Sequence, residues 1–268
     1  MSDWPSVRHR GRPDQSRKGE FPVTEIARTV LVEATPTSID IDLAKTAVLV
    51  VDMQNDFGAK GGMFDRAGID VSVIQRAVAP TAQVIASARA AGVPVIYIKE
   101  EHRPDLSDIG TVGSPHWRMC QRLAVGAEVM APDGRPSRIH VENTWNTEIL
   151  PELAPLASDI VIIKRRWSAF YDTELDSQLR RLGARYLIVT GCTTSMCIES
   201  TIRDAAFRDY ICLLPADCTG QPARHDSGYS GHEASLKIIE MSFGWASNSA
   251  KIRDALEGGD RLARYSGL

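Results

Sequence analysis

The segment from Arg185 to Arg208, RYLIVTGCTTSMCIESTIRDAAFR, sets the tightest limit on what this chain can fold into. Tyr186, Leu187, Ile188 and Val189 make a short unbroken apolar run ended by Gly191, the pattern of a strand buried on both faces of a parallel sheet. Thr193, Thr194 and Ser195 supply N-cap chemistry. From Cys197 onward Ile198, Ile202, Ala205 and Ala206 recur at helical spacing beside Glu199, Arg203 and Asp204. A strand stopping near Thr190 and a helix beginning at or just before Cys197 are therefore predicted. A thiol in the first turn of such a helix meets unpaired amides and the positive end of the dipole, both of which favour a thiolate nucleophile. A small buried cysteine packing helix against sheet explains this segment equally well, so the other elements must decide.

Further apolar runs follow the same logic. TAVLVVD from Thr46 to Asp52, VPVIYIK from Val93 to Lys99, DIVIIK from Asp159 to Lys164, and Tyr210 to Leu214 read as strands, and Phe243 to Ala246 as a short edge strand. Helical spacing appears over 71–91, with Pro80 as a break or new start, and over 147–156, 175–182, 234–241 and 249–256. This alternation gives an α/β fold: a three-layer α/β/α sandwich around a mainly parallel sheet of about six strands. The glycine-containing loop 58–68 lacks the Lys-Ser/Thr ending of a phosphate-binding loop, which excludes that class of nucleotide site. The long polar loop after Lys99, through Glu100, Glu101, His102 and Arg103 to Trp117, is placed to form a wall or lid at the carboxyl edge. Residues 220–231, with His225, read as a second polar loop.

Residues 1–38 are broken by Pro5, Pro13, Pro22 and Pro36 and carry Arg8, Arg10, Arg12, Arg17 and Lys18; they read as an irregular arm ahead of one domain over 39–268. A net charge of −3 argues against nucleic acid or an anionic membrane surface as the main partner. No apolar run is long enough to span a membrane or to serve as a signal segment. Five cysteines (120, 192, 197, 212 and 218) without such a segment fit a reducing cytoplasm. Cys192 and Cys197 are too far apart for a C-x-x-C pair, and no close pair of ligand residues completes a zinc pattern. The expectation is no metal and no cofactor.

Three predicted strands end on Asp52, on Lys164 and, after a turn, on Cys197. In a parallel sheet those ends share one edge, where ligands bind in open α/β folds. Taken singly, Asp52 reads equally as a cap and Lys164 as a solvated strand end. Together they supply a carboxylate to take the thiol proton and an ammonium to favour both anions.

VLVVDMQNDF at 48–57, IVIIKRRWSAF at 160–170 and VTGCTTSMCIESTIRDA at 189–205 resemble the three signature segments of the isochorismatase-like cysteine hydrolases. The resemblance implies Asp52 as general base, Lys164 as triad lysine and Cys197 as nucleophile. It also implies a cis peptide between Cys192 and Thr193, with the Thr193 and Cys197 amides as oxyanion hole. Within that superfamily GGMFDRAGIDVS at 61–72, GSPHW at 113–117, the segment 164–185 and FGWAS at 243–247 look most like the ureidoacrylate amidohydrolases, a branch that resembles the biuret, triuret and N-carbamoylsarcosine hydrolases. Trp167 stands where those relatives carry Tyr. Glu100, Glu101 and His102 do not reproduce the Asp-x-His of the zinc-dependent nicotinamidase relatives.

What the resemblance implies is hydrolysis of a ureido or carbamoyl C–N bond in a small molecule, by a homo-oligomer of two or four copies. Asn55, Phe57, Trp167 and Ser168 are expected to line the pocket, and Arg166 or Arg103 to pair with a substrate carboxylate. The rival expectations are a biuret, triuret or N-carbamoyl amino acid substrate, an inactive binding or scaffold member, and a thiol redox pair of Cys192 and Cys197.

Overall fold

The apolar runs become strands because each is long enough to cross a sheet and carries a side chain for both of its faces. A computed structural model describes residues 28–222 and 231–265, with side chains of the last helix through residue 258. In chain order the strands and helices are β1 (Thr29–Val32), β2 (Ile39–Asp42), β3 (Thr46–Val51), α1 (Asn55–Gly58), α2 (Met63–Arg66), α3 (Ser72–Ala90) and β4 (Val95–Glu100). There follow α4 (Pro115–Arg122), β5 (Glu128–Met130), β6 (Pro136–Arg138), β7 (Ile160–Lys164), α5 (Leu175–Arg181) and β8 (Tyr186–Cys192). The chain continues through α6 (Glu199–Ala206), β9 (Ile211–Pro215), β10 (Thr219–Gly220), α7 (Gly231–Ser242), β11 (Trp245–Ser247) and α8 (Ser249–Tyr265).

The main sheet has seven strands in the order β11-β9-β8-β3-β4-β7, with β10 pairing β8, and every pair is parallel. Six of them are the strands legible in the sequence; the two-residue β10 is too short to leave a pattern. Period-two alternation divides β3 between two cores. Val48 and Val50 face Ile74, Val84 and Ala88 of α3 and Ile252 and Leu256 of α8. Ala47, Leu49 and Val51 face Leu175 and Leu179 of α5, Ile202 and Ala205 of α6 and Ile239 of α7. Burying one Ile or Leu of this kind contributes roughly 1.5–3 kcal/mol, so the sheet is held from both sides.

Three expectations are corrected. The break at Pro80 does not occur: α3 runs unbroken for 19 residues with Pro80 inside. Proline removes one backbone donor, whereas Ile74, Ala77, Thr81, Val84 and Ala88 are buried on either side of it and hold both halves to the sheet. The helix expected over 147–156 is instead two 3-10 turns, Trp145–Thr147 and Pro151–Leu153. Pro151 biases Leu150 away from helical backbone and separates them. The end of the expected irregular arm is ordered, because β1 pairs antiparallel with β2 and Thr35 bridges Ala246 of β11. Residues 1–27 of that arm and His225 lie outside the described residues. Among the described residues no helix is long and apolar enough to cross a membrane.

Candidate active site

Because β3, β4, β7 and β8 are parallel, their carboxyl ends share one edge, and four ionisable side chains gather there. Asp52 follows β3, Glu100 ends β4, Lys164 ends β7, and Cys197 sits in a π-helical turn, Thr194–Ile198, that joins β8 to α6. Asp52 adopts a left-handed φ of 54°, which aspartate tolerates better than most residues and which turns the chain out of the sheet. Gly191 lies opposite Val51 in the register of β8 with β3. Its φ is 118°, and a Cβ there would stand 1.9 Å from the Val51 carbonyl oxygen, so only glycine lets the two strands stay paired at the site. The peptide between Cys192 and Thr193 is cis. Thr194 Oγ1 is 3.0 Å from Thr219 Oγ1 and 2.9 Å from His232 Nδ1, which anchors the turn carrying Cys197.

Lys164 is the centre of the group. Its Nζ lies 2.8 Å from Asp52 Oδ2 and donates to Cys197 Sγ at 3.4 Å, to the Arg166 carbonyl at 3.1 Å, and to Glu100 Oε2. Cys197 Sγ is 3.5 Å from Glu100 Oε2 and within 4.8 Å of an Asp52 carboxylate oxygen. Asp52, Lys164, Glu100 and Cys197 are all buried, the first two completely. Burial raises the Asp52 carboxyl to about 6, a push that Glu100 adds to and that Lys164 only partly opposes. Burial pushes Glu100 the same way, but Lys164 and His140 outweigh it and hold that carboxyl well below its ordinary value. Burial also lifts the Cys197 thiol well above its ordinary value, against the pull of Lys164. Desolvation thus outweighs the helix-start field and favours the protonated thiol, whose proton the sequence reading assigned to Asp52.

Glu100, His140 and Asp56 are residues of the candidate site that the sequence reading missed. Asp56 Oδ2 accepts the His140 backbone N–H at 2.7 Å and lies 3.3 Å from its Nδ1, while Asp56 Oδ1 accepts the Met63 N–H at 2.9 Å. His140 Nε2 is 3.9 Å from Glu100 Oε1. Burial opposes a charge on His140, but its bonds to Asp56 and Glu100 win and raise its pKa to about 9. His140 stands in a stretch of turns between β6 and the 3-10 turn at Trp145–Thr147, with no periodicity to announce it. Glu100 carried one available signal, since it stands one residue beyond Lys99, where the apolar run of β4 gives way to charge at the sheet edge.

The thiol opens on a cavity of about 80 Å³, several times the space one water needs. Phe57, Phe64, Met119, Leu123 and Met196 give it apolar walls, and Glu100, His102, His116 and His140 supply polar groups. Of the residues expected to line the pocket, Phe57 and Trp167 do, and Thr193 lies beside Cys197 in the wall. Four do not. Asn55 spends its amide on the Trp145 carbonyl at 2.8 Å. Ser168 faces away and bonds Asp204. The Arg103 side chain is exposed, and Arg166 donates to the carbonyls of Asp108 at 2.7 Å and Arg165 at 2.6 Å. Each is drawn off by a nearer partner or by solvent, which spacing alone could not reveal. All five cysteines are free thiols.

A parallel α/β sandwich with a thiol, an ammonium and two carboxylates converging at one sheet edge defines a cysteine-hydrolase type of protein. The chain belongs to the isochorismatase domain family, which matches residues 46–251. It is 38% identical over 231 residues to a ureidoacrylate amidohydrolase, RutB, of Methylorubrum extorquens, covering 85% of this chain and 89% of that one. It is 36% identical over 224 residues to the RutB of Serratia proteamaculans, covering 82% and 86%. Among solved structures, a cysteine hydrolase from Pseudomonas syringae pv. phaseolicola superposes with a TM-score of 0.68 at 28% identity, covering 82% of this chain and 95% of that chain. An N-carbamoylsarcosine amidase from Thermoplasma acidophilum does so at 0.55 and 26%, covering 76% and 96%. These likenesses place the chain among hydrolases of amide bonds.

Proposed function

We propose that this protein is a cysteine amidohydrolase that cleaves the ureido C–N bond of ureidoacrylate or a close relative through a thioester-like intermediate on Cys197. The observation that carries this reading is Lys164 Nζ, set 2.8 Å from Asp52 and 3.4 Å from the Cys197 sulfur. It ties a base and a nucleophile together at the mouth of a small cavity. Two carboxylates are within reach of the thiol, and their environments separate their roles. Asp52, raised to about 6, is the stronger base; Glu100, held low by Lys164 and His140, stays an anion. Asp52 is therefore the proton acceptor.

As the sulfur attacks the ureido carbonyl carbon, an S–C bond forms, the thiol proton passes to Asp52, and the carbonyl oxygen becomes an oxyanion. The Thr193 and Cys197 amides are the donors for that oxygen, each worth on the order of a hundredfold in rate. Collapse breaks the C–N bond, and Asp52 gives its proton to the departing nitrogen. Water, deprotonated by the same carboxylate, then attacks the carbamoyl thioester and frees carbamate and the thiol. Lys164 keeps its proton throughout and offsets whichever anion is present.

The RutB relatives, at 34–38% identity over most of their length, support the ureido substrate class. A panel of ureidoacrylate, biuret and N-carbamoyl amino acids, followed by ammonia release, tests it. Preference for ureidoacrylate supports the reading, and turnover of none of them refutes it. The same proposal places the enzyme in the reducing cytoplasm, which suits a nucleophilic thiol, as an assembly of two or four copies measurable by light scattering.

A further inference from the structure

Three side chains on the cavity wall take no part in the Lys164 chemistry. His102 follows β4, while His116 and Cys120 stand four residues apart on α4 and so share one helix face. One ligand atom from each lies within 4.8 Å of the others, and all three side chains are buried. Cys120 Sγ is 3.9 Å from His102 Nε2. On the other side of the ring, Asp108 Oδ1 is 3.2 Å from His102 Nδ1. A proton shared there leaves the Nε2 lone pair facing the thiol, the carboxylate–histidine arrangement that orients metal-binding imidazoles. His116 is 8% exposed, and among the described residues neither of its ring nitrogens has a hydrogen-bond partner. Leaving buried polar groups unsatisfied is costly, and a ligand at His116 would relieve that cost.

We propose that His102, His116 and Cys120 form an N2S site for a borderline-soft divalent cation of the zinc type, its fourth position open to the cavity. With Zn–N near 2.0–2.1 Å and Zn–S near 2.3 Å, tetrahedral ligand atoms stand about 3.3–3.6 Å apart, so the separations need close by no more than about 1.5 Å. Two histidines and a thiolate match the preference of such an ion over magnesium or calcium. The neighbouring clusters are already occupied. Asp52, Glu100 and Cys197 surround the Lys164 ammonium. In the group of Glu100, His102 and His140, Glu100 is paired with Lys164 and His140 is turned to Asp56. The unpartnered His116 ring therefore selects the third set. Among the described residues the lining of the cavity contains neither Arg nor Lys, so the ion would add to the charge of His140 in meeting an anionic substrate end. That last role rests on the amidohydrolase reading; binding of the ion does not.

Cobalt(II) serves as the probe, because thiolate ligation gives a near-ultraviolet charge-transfer band and tetrahedral geometry gives intense visible bands. Chelator-treated full-length protein titrated with cobalt(II) is expected to bind one equivalent with both signatures. Cys197→Ala keeps the charge-transfer band and Cys120→Ala loses it, while His116→Gln weakens binding by at least about tenfold. Absence of the band in the unaltered protein overturns the site, as does a band that survives Cys120→Ala and disappears in Cys197→Ala. Circular dichroism establishes that each variant is folded, and should one fail, the other decides. Turnover of the chelator-treated protein is read separately, so an error about the reaction is not mistaken for an error about the metal.

Discussion

Glu100 and Lys164 are direct partners across the parallel strands β4 and β7, and their side chains meet again as a buried ion pair beside Cys197. Strand register thus delivers a second carboxylate to a lysine that already holds Asp52. The two anions share one cation, and the shared charge keeps one carboxylate weakly basic while the other rises. That separation of roles underlies the predictions below.

Lys164→Met should destabilise the protein by about 3–5 kcal/mol at neutral pH, since removing one partner leaves buried carboxylates without a counter-charge. Chemical denaturation at pH 7 and pH 5 measures it. The deficit should shrink at the lower pH, where protonating a carboxylate relieves the repulsion.

The ratio kcat/KM should rise through pH about 6 as Asp52 ionises. Because Glu100 contributes to the elevated Asp52 value, Glu100→Gln should move this acidic limb to lower pH while preserving turnover. Asp52→Asn should instead lower kcat by roughly 10²–10⁴-fold at every pH. Steady-state rates from pH 4.5 to 8 distinguish the two carboxylates. An unmoved limb in Glu100→Gln would contradict the coupling.

His140 holds its proton to about pH 9 in the fold and to about 6.5 when unfolded. Between those values the folded chain binds a proton that the unfolded chain has lost, so stability falls as pH rises through the window. Its contribution is complete below 6.5 and gone above 9. Denaturation midpoints across pH 6–9.5 should show this slope, and His140→Gln should flatten it.

Gly191→Ala should be among the most damaging single changes, costing roughly 3 kcal/mol or more. The added methyl would sit 1.9 Å from a backbone oxygen of β3, which cannot turn aside as a side chain could. A thermal melt of the purified variant, or its recovery only as insoluble protein, provides the check.

The parts of this account visible in the sequence are those governed by local pattern. Unbroken apolar runs marked β3, β4, β7, β8 and β9, and their parallel alternation with helices brought Asp52, Lys164 and Cys197 to one edge. The parts that stayed hidden depend on competition between partners distant in sequence. Asn55 and Asp56 read alike as polar residues after a strand, yet one is drawn to the Trp145 carbonyl and the other to His140, more than eighty positions away. The balance of forces on the Cys197 proton was hidden for a related reason. A helix start argues for a thiolate, and only the burial of the folded site, with Asp52 and Glu100 nearby, shows how strongly its surroundings argue against one.

The central claim is that the sulfur of Cys197 becomes covalently attached to the substrate carbonyl. Rapid acid quench of the working enzyme with ureidoacrylate, followed by peptide mass spectrometry, tests it directly. The account predicts a carbamoyl mass increment on the peptide containing Cys197, absent from Cys197→Ala. Turnover by Cys197→Ala at the rate of the unaltered enzyme, or an increment on any other cysteine, would contradict it.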